Sequence, residues 1–284
     1  MSVGRASGAG GVGAPPVGLI AAAGALPVEI VRGAKRLGRE VICVNVLDGD
    51  PALQGLAEAY YAISLGELGG LIGALRRHGV HEVLLAGKVD KLAAMRSVRL
   101  DAQGAQAALR FADLRDASIL SVFVHVLEEA GFEVASQTRY VGHLIPEVGV
   151  LGRRAPTPEE ARDIALGVRV ARGVAGLDVG QAVAVRRGVV VAVEAAEGTD
   201  AMIQRAGALA GGVSVVKVSR PNQDPRYDLP VVGPQTIAVL ADAAGTVLAV
   251  EAARTILLDR ERLVAAADAA GIAVAAVDVA ARMD

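Results

Sequence analysis

The chain is nearly devoid of aromatic residues: three Phe, four Tyr and no Trp among 284 residues. So few rings cannot build a platform for stacking successive bases, and a net charge of −2 offers nucleic acid no global attraction. A single cysteine, Cys43, excludes an intrachain disulfide and a multi-cysteine metal site. Its place in the apolar run Val41-Ile-Cys-Val44 marks a buried strand residue of a protein kept in a reducing compartment, the cytoplasm. No apolar run reaches roughly 18 residues, so no membrane span is expected. Residues 1–16, rich in Gly and Ala, lack the apolar stretch of a signal peptide and read as a flexible tail. The four histidines, at 78, 81, 125 and 143, lack H-x-x-x-H zinc spacing, and His125 reads as a packed or surface residue of a helix. Neither a G-x-S-x-G elbow nor a G-x-x-x-x-G-K-[ST] loop occurs, which disfavours serine hydrolases and P-loop enzymes.

What remains is aliphatic. Hydrophobic residues make up 53% of the chain, enough for a sizeable core and for two domains of ordinary size. Residues 17–150 alternate short apolar strands with helices: Val17–Ile20, a helix at Leu26–Leu37, Val41–Val46, Ala59–Ser64, a helix at Leu68–His78, Val83–Ala86, a helix at Asp116–Ala130 and Phe132–Val134. Such alternation predicts a parallel sheet with right-handed crossovers, a Rossmann-like N-terminal domain. The pattern breaks near Leu151–Thr157, where Pro156, Pro158 and Glu159-Glu160 open a new helix and place the domain boundary. Residues 151–284 read as a distinct C-terminal α/β domain. Its signature is a β-hairpin, Val183–Val185 and Val189–Val193, turning at Arg186-Arg-Gly188.

The densest chemistry lies in Lys217-Val-Ser-Arg-Pro-Asn-Gln-Asp-Pro-Arg-Tyr-Asp-Leu-Pro-Val-Val-Gly233. Its prolines and lack of apolar period rule out a helix. Lys217, Arg220 and Arg226 can grip phosphate, Asn222 and Gln223 add polar contacts, and Asp224 and Asp228 can hold a metal or take a proton. A solvated loop would also carry charges, so composition alone leaves both readings open. Glu194-Ala-Ala-Glu-Gly-Thr-Asp200 leaves the hairpin and enters a helix with Thr199 or Asp200 as N-cap. Capping does not explain Glu194, which interrupts an apolar strand and needs a partner if buried. Glu194, Glu197 and Asp200 could supply oxygen ligands for Mg²⁺ together with the charged loop. Asp178, Gly180 and Gln181 form a turn before the hairpin. Gly24-Ala-Leu26 ends the first strand-turn-helix, where small residues allow phosphate or ribose to approach, although no G-x-G-x-x-G follows that strand. Gly87 and Lys88 sit just past another strand, where ligands of open α/β sheets bind.

Gly18-Leu-Ile…Gly24-Ala-Leu-Pro27, Ala86-Gly-Lys-Val89, Glu194-Ala-Ala-Glu-Gly-Thr-Asp200 and Arg226-Tyr-Asp-Leu-Pro230 follow one another in this order. In this the chain resembles the bacterial UDP-2,3-diacylglucosamine pyrophosphatases, a family once catalogued as a domain of unknown function, over roughly residues 17–280. The resemblance implies hydrolysis of UDP-2,3-diacylglucosamine by water at the α-phosphorus, giving UMP and 2,3-diacylglucosamine 1-phosphate for lipid A. It also implies a Mg²⁺ requirement, a homodimer, a lipid-linked UDP-sugar as small-molecule partner and contact with the inner membrane face. The family's key aspartate falls on Asp228. Asp228 and Asp224 are thus the catalytic candidates. The metal candidates are Glu194, Glu197, Asp200 and Asp228. The substrate candidates are Gly24, Ala25, Leu26, Gly87, Lys88, Gln181, Thr199, Lys217, Arg220, Gln223 and Arg226. Ala22 and Ala23 replace glycines common in the family's first turn, and Arg220 stands where many relatives have Lys. Two alternatives stand beside this reading: a hydrolase of another nucleotide-linked substrate, or a non-catalytic nucleotide- or lipid-binding protein on the same fold.

Overall fold

The structure is a computed structural model describing residues 14–47, 49–89, 99–111, 119–221 and 223–280. Most of the expected tail, the start of the helix expected from Asp116, and Asn222 lie outside these residues. Contacts divide the chain into two compact units, residues 1–135 and 136–284.

The first unit runs β1 (Val17–Ala21), α1 (Leu26–Arg36), β2 (Val41–Asn45), α2 (Pro51–Leu56), β3 (Ala59–Ala62), α3 (Leu68–Arg77), β4 (Glu82–Ala86), α4 (Ala102–Phe111), α5 (Ile119–Glu129) and β5 (Glu133–Val134). Its five strands are all parallel, in the order β3-β2-β1-β4-β5. That is the doubly wound arrangement, with the chain reversing direction across the sheet between β1 and β4. The three central strands β1, β2 and β4 are buried at every position, which is why their sequences read as continuous apolar runs rather than alternating ones. Two short helices, α2 and α4, were not legible in the sequence. The first is set by Asp50, whose carboxylate caps the N–H groups of Ala52 and Leu53 ahead of Pro51. The second is joined to α3 by Asp101, which accepts from Gly69, Gly70 and Gly104.

The second unit runs α6 (Thr138–Val141), β6 (Gly149–Val150), α7 (Pro158–Gly176), β7 (Ala182–Arg186), β8 (Val189–Val193), α8 (Thr199–Leu209), β9 (Ser214–Lys217), β10 (Val231–Val232), α9 (Pro234–Asp242), β11 (Val247–Glu251), β12 (Ile256–Leu257), α10 (Arg260–Ala270) and β13 (Ala273–Val277). Six of its strands form one mixed sheet, β6-β13-β11-β9-β7-β8. β9, β11 and β13 are parallel; the β7–β8 hairpin joins one side antiparallel and β6 the other. Alternation splits β7 cleanly. Ala182 and Ala184 face a core with Met202, Ile203, Leu240 and Leu263, while Val183 and Val185 face one with Ile164, Val168 and Ala171 from α7. The second unit begins at Ser136, ahead of the expected 151, and takes in Gly149–Val150, which pairs with β13. The hairpin turns through Arg187 (φ 48°) and Gly188 (φ 76°), the geometry a two-residue primed turn requires. The buried carboxylate of Asp163, reaching over from α7, accepts the N–H groups of both turn residues at 2.8 and 2.7 Å.

Candidate functional site

In the first unit, the turns after β1 and β4 are joined. Ala23 and Lys88 exchange two backbone hydrogen bonds, Ala23 N–H to Lys88 O and Lys88 N–H to Ala23 O. Gly87 makes this possible: its φ is +103°, and a Cβ there would lie 2.6 Å from the Ala22 carbonyl carbon. Gly24, with φ +105° and open space where a side chain would stand, precedes Ala25 at the cap of α1 and Leu26 as its first residue. No side chain caps this helix end. The five candidate positions Gly24, Ala25, Leu26, Gly87 and Lys88 therefore share one place, at the carboxyl ends of β1 and β4 where the strand order reverses.

In the second unit the candidates gather at the carboxyl ends of the parallel strands, because β7 begins and β8 ends where β9 finishes. Lys217, the last residue of β9, is buried, and its Nζ donates to Thr199 Oγ1 at 3.1 Å and to the Val231 carbonyl at 3.2 Å. Thr199 Oγ1 donates in turn to Glu194 Oε1 at 2.7 Å, and the second carboxylate oxygen accepts the Gln181 N–H at 3.0 Å. Glu194 is thus buried with partners on both oxygens, as burial of a charge demands. A Cβ on Gly180 would collide with the Glu194 carbonyl, so glycine lets the chain pass close against the end of β8. Thr199 does not cap its helix as expected. Gly198, with φ 84°, takes the cap position, which frees the threonine hydroxyl to bridge a buried lysine and a buried glutamate.

The charged loop leaves β9 and is fastened along its length. Val218 N–H donates to the Gln181 carbonyl, and Arg220 and Gln223 close a turn on each other at 2.9 and 3.2 Å. Gln137 donates to the loop twice, N–H to the Arg226 carbonyl and Nε2 to the Tyr227 carbonyl. Arg220 Nε stands 3.2 Å from Asp178 Oδ1, an ion pair without hydrogen-bond alignment. Asp224 accepts from Arg226 three times through the guanidinium, at 2.8 to 3.1 Å, and once from its N–H. Burial pushes the Asp224 carboxyl up, but the Arg226 hydrogen bonds and charge outweigh it and hold the group below the usual range. Burial, seconded by the Asp224 charge, raises the Tyr227 phenol. Asp228 follows on the same turn, its N–H on the Asp224 carbonyl at 3.1 Å.

The carboxylates nominated for Mg²⁺ do not converge into a cage. Glu194 spends both oxygens on protein donors. Glu197 pairs with Arg205 at 2.6 Å and accepts the Ala195 N–H, the arginine hydrogen bond being the chief reason its carboxyl is held low. Asp200 lies exposed in the first turn of α8. Among the described residues no group of three or more His, Cys, Asp or Glu is placed to hold a metal ion. Glu194, Glu197 and Asp200 therefore do not form a preformed divalent site, which needs several oxygens around one point. Sequence reasoning passed over Glu251, at the end of β11, whose Oε2 accepts both the N–H and the hydroxyl of Ser219 at 2.6 Å. The available signal was an acidic residue ending an apolar strand, as at Glu194.

Fold and site together define a two-unit α/β protein with a nucleotide-type strand order in one unit and a tethered, charge-rich loop in the other. Residues 16–144 match the model of the LpxI N-terminal domain and residues 147–275 that of the LpxI C-terminal domain. The chain belongs to the LpxI family. It is similar to the UDP-2,3-diacylglucosamine pyrophosphatase LpxI of Caulobacter vibrioides, 34% identical over 275 residues that span 92% of this chain and 97% of that protein. Among solved structures, it resembles an ADP complex of N5-carboxyaminoimidazole ribonucleotide synthetase at 15% identity and a TM-score of 0.27, covering 60% of this chain and 32% of that one. A UDP-glucose-4-epimerase from Stenotrophomonas maltophila matches at 12% identity and a TM-score of 0.30, covering 69% and 74%. Likenesses of that size have no bearing on function.

Proposed function

We propose that this chain hydrolyses the pyrophosphate of UDP-2,3-diacylglucosamine in lipid A biosynthesis. The observation that carries this reading is the near full-length relation to the Caulobacter enzyme, with the motif Arg226-Tyr-Asp-Leu-Pro230 set on a fastened loop beside Lys217. In this reaction the oxygen of water bonds to the α-phosphorus, the bond from that phosphorus to the bridging oxygen breaks, and UMP and 2,3-diacylglucosamine 1-phosphate leave. A diphosphate diester resists hydroxide because its own charge repels it, so catalysis amounts to placing water and neutralising charge. Asp228 orients the water or takes its proton. Lys217, at the floor of the same strand end, supplies fixed positive charge, and Arg220 adds a second cation on the loop. Asp224 is committed to Arg226 and in this mechanism shapes the loop instead of meeting the water. Mg²⁺ belongs to the proposal as a companion of the substrate's phosphates, which it would neutralise, since Mg²⁺ is often bound through phosphates and one or two carboxylates.

The turns at Gly24–Leu26 and Gly87–Lys88 suit the phosphate or ribose of the nucleotide. A homodimer working in the cytoplasm at a membrane surface completes the reading; among the described residues no helix is long and apolar enough to cross a membrane. The test is turnover of UDP-2,3-diacylglucosamine with Mg²⁺ in ¹⁸O-labelled water. Label in UMP is expected. Label in the lipid phosphate would overturn attack at the α-phosphorus, and absence of cleavage by folded protein would overturn the activity.

A further inference from the structure

β9 ends at Lys217, paired in register with Val250, while β11 runs one residue further to Glu251, which pairs only with β13. At this point the ladder between β9 and β11 stops and the loop that carries Asp228 begins. The Glu251 side chain takes over from the ladder. One of its oxygens, Oε2, accepts both the backbone N–H and the hydroxyl of Ser219, each at 2.6 Å. Glu251 is 6% exposed, and Ser219 is 7% exposed, so both hydrogen bonds are out of water. Arg254 stands 3.9 Å from the other oxygen, too far for a strong ion pair. Burying a carboxylate without tight neutralisation is costly. A plain strand end does not require it, because a neutral side chain could satisfy one N–H. A carboxylate makes shorter, stronger hydrogen bonds than a neutral acceptor and so holds its donor more rigidly.

We infer that Glu251 is a positioning residue of the reaction: acting through Ser219, it fixes the root of the charged loop so that Lys217 and Asp228 keep their relative placement. This rests on the hydrolase reading above and assigns Glu251 no contact with substrate. It complements Gln137, which holds the far part of the loop by the Arg226 and Tyr227 carbonyls. The Glu251 tether sets two hydrogen bonds from one residue on a single carboxylate oxygen.

The experiment compares the full chain with Glu251→Gln, Ser219→Ala and the double variant. Two readouts are taken: steady-state kinetics with UDP-2,3-diacylglucosamine, and hydrogen–deuterium exchange by mass spectrometry without substrate. Misplacing a reacting group by about an ångström costs on the order of 10²-fold. Accordingly Glu251→Gln is expected to lower kcat by about 10- to 100-fold with KM changed by less than about 3-fold, and Ser219→Ala to lower it less. The double variant should be no slower than Glu251→Gln by more than about 2-fold, because both act through one contact. Peptides covering residues 218–230 should exchange faster while those of β7, β11 and β13 keep their protection. The inference is overturned by wild-type kcat in both single variants, by fully additive losses, by a kcat loss with the loop's exchange unchanged, or by faster exchange throughout the second unit. Ser219→Ala, which removes only a hydroxyl, keeps the test decisive if Glu251→Gln fails to fold. If the wild-type chain cleaves no substrate, the hydrolase reading fails, and the exchange measurement still decides whether Glu251 holds the loop.

Discussion

Replacing Thr199 by Val deletes the one hydroxyl that joins two buried charges. In the native chain it donates to Glu194 at 2.7 Å and accepts from Lys217 at 3.1 Å. Valine has nearly the same shape, so the change is electrostatic rather than steric. Neither charge is abandoned: Glu194 keeps the Gln181 N–H and Lys217 keeps the Val231 carbonyl. What disappears is two hydrogen bonds to charged groups, worth about 1.5–3 kcal/mol each. They share one oxygen and are not additive, so the expected loss is about 2–4 kcal/mol. In a unit of this size, each kcal/mol moves the midpoint by roughly 2–4 °C, which puts the second unit's transition lower by about 4–16 °C. Calorimetry suits the assay because the chain has no Trp to report by fluorescence. The first unit's transition should not move, and Thr199→Ser, which keeps the hydroxyl, should cost less than about 1 kcal/mol. A Thr199→Val midpoint within about 1 °C of wild type, or serine as damaging as valine, would refute the bridge.

Asp228→Ala should fold and bind substrate while turnover drops by about 10²- to 10⁴-fold, the usual worth of a group that moves a proton or orients water; a misfolded variant or near-normal rates would remove Asp228 from its role. The Cys43 thiol, pushed up to about 12 by burial and then by the charge of Asp50, should resist a disulfide reagent at neutral pH until the chain unfolds, and rapid stoichiometric labelling of native protein would contradict this. Asp224 is held below its ordinary 3.8 in the folded chain. Its stabilisation is therefore complete above that value and fades as pH falls through the folded one, so Asp224→Asn should lose less stability than wild type on acidification below about pH 4. Parallel acid limbs in the two proteins would show that the Asp224–Arg226 pair contributes nothing.

Much of the architecture was legible along the chain. The alternation of apolar strands and helices gave β1, β2 and β4, and helices α1 and α3, within a residue or two, since strands buried on both faces cannot be anything but apolar. The hairpin was visible as two apolar runs about Arg186-Arg-Gly188, where Gly188 takes a positive φ without steric cost. Other elements were not visible. β6 is two residues long with both exposed, and carries no pattern to detect. The second unit starts at Ser136, ahead of both β6 and the prolines near 156.

The candidate site divides in the same way. Residue type alone marked Lys217, Glu194 and the charged loop, because a charge in an otherwise aliphatic stretch must either be solvated or be matched. Which of the two holds was decided by the tertiary structure. It brought Gln181, Glu194, Thr199 and Lys217 to one sheet end from three separate segments, turned Thr199 from an expected cap into a bridge, and spent Glu197 on Arg205. It also drew Ser219 onto Glu251, a pairing across 32 positions. The sequence by itself determined which side chains could do chemistry and which segments would be strands, since propensity and hydrophobic period are local. Strand order and register decided which of those side chains meet, because contacts between distant segments are set by the closing of the sheet and leave no mark on local composition.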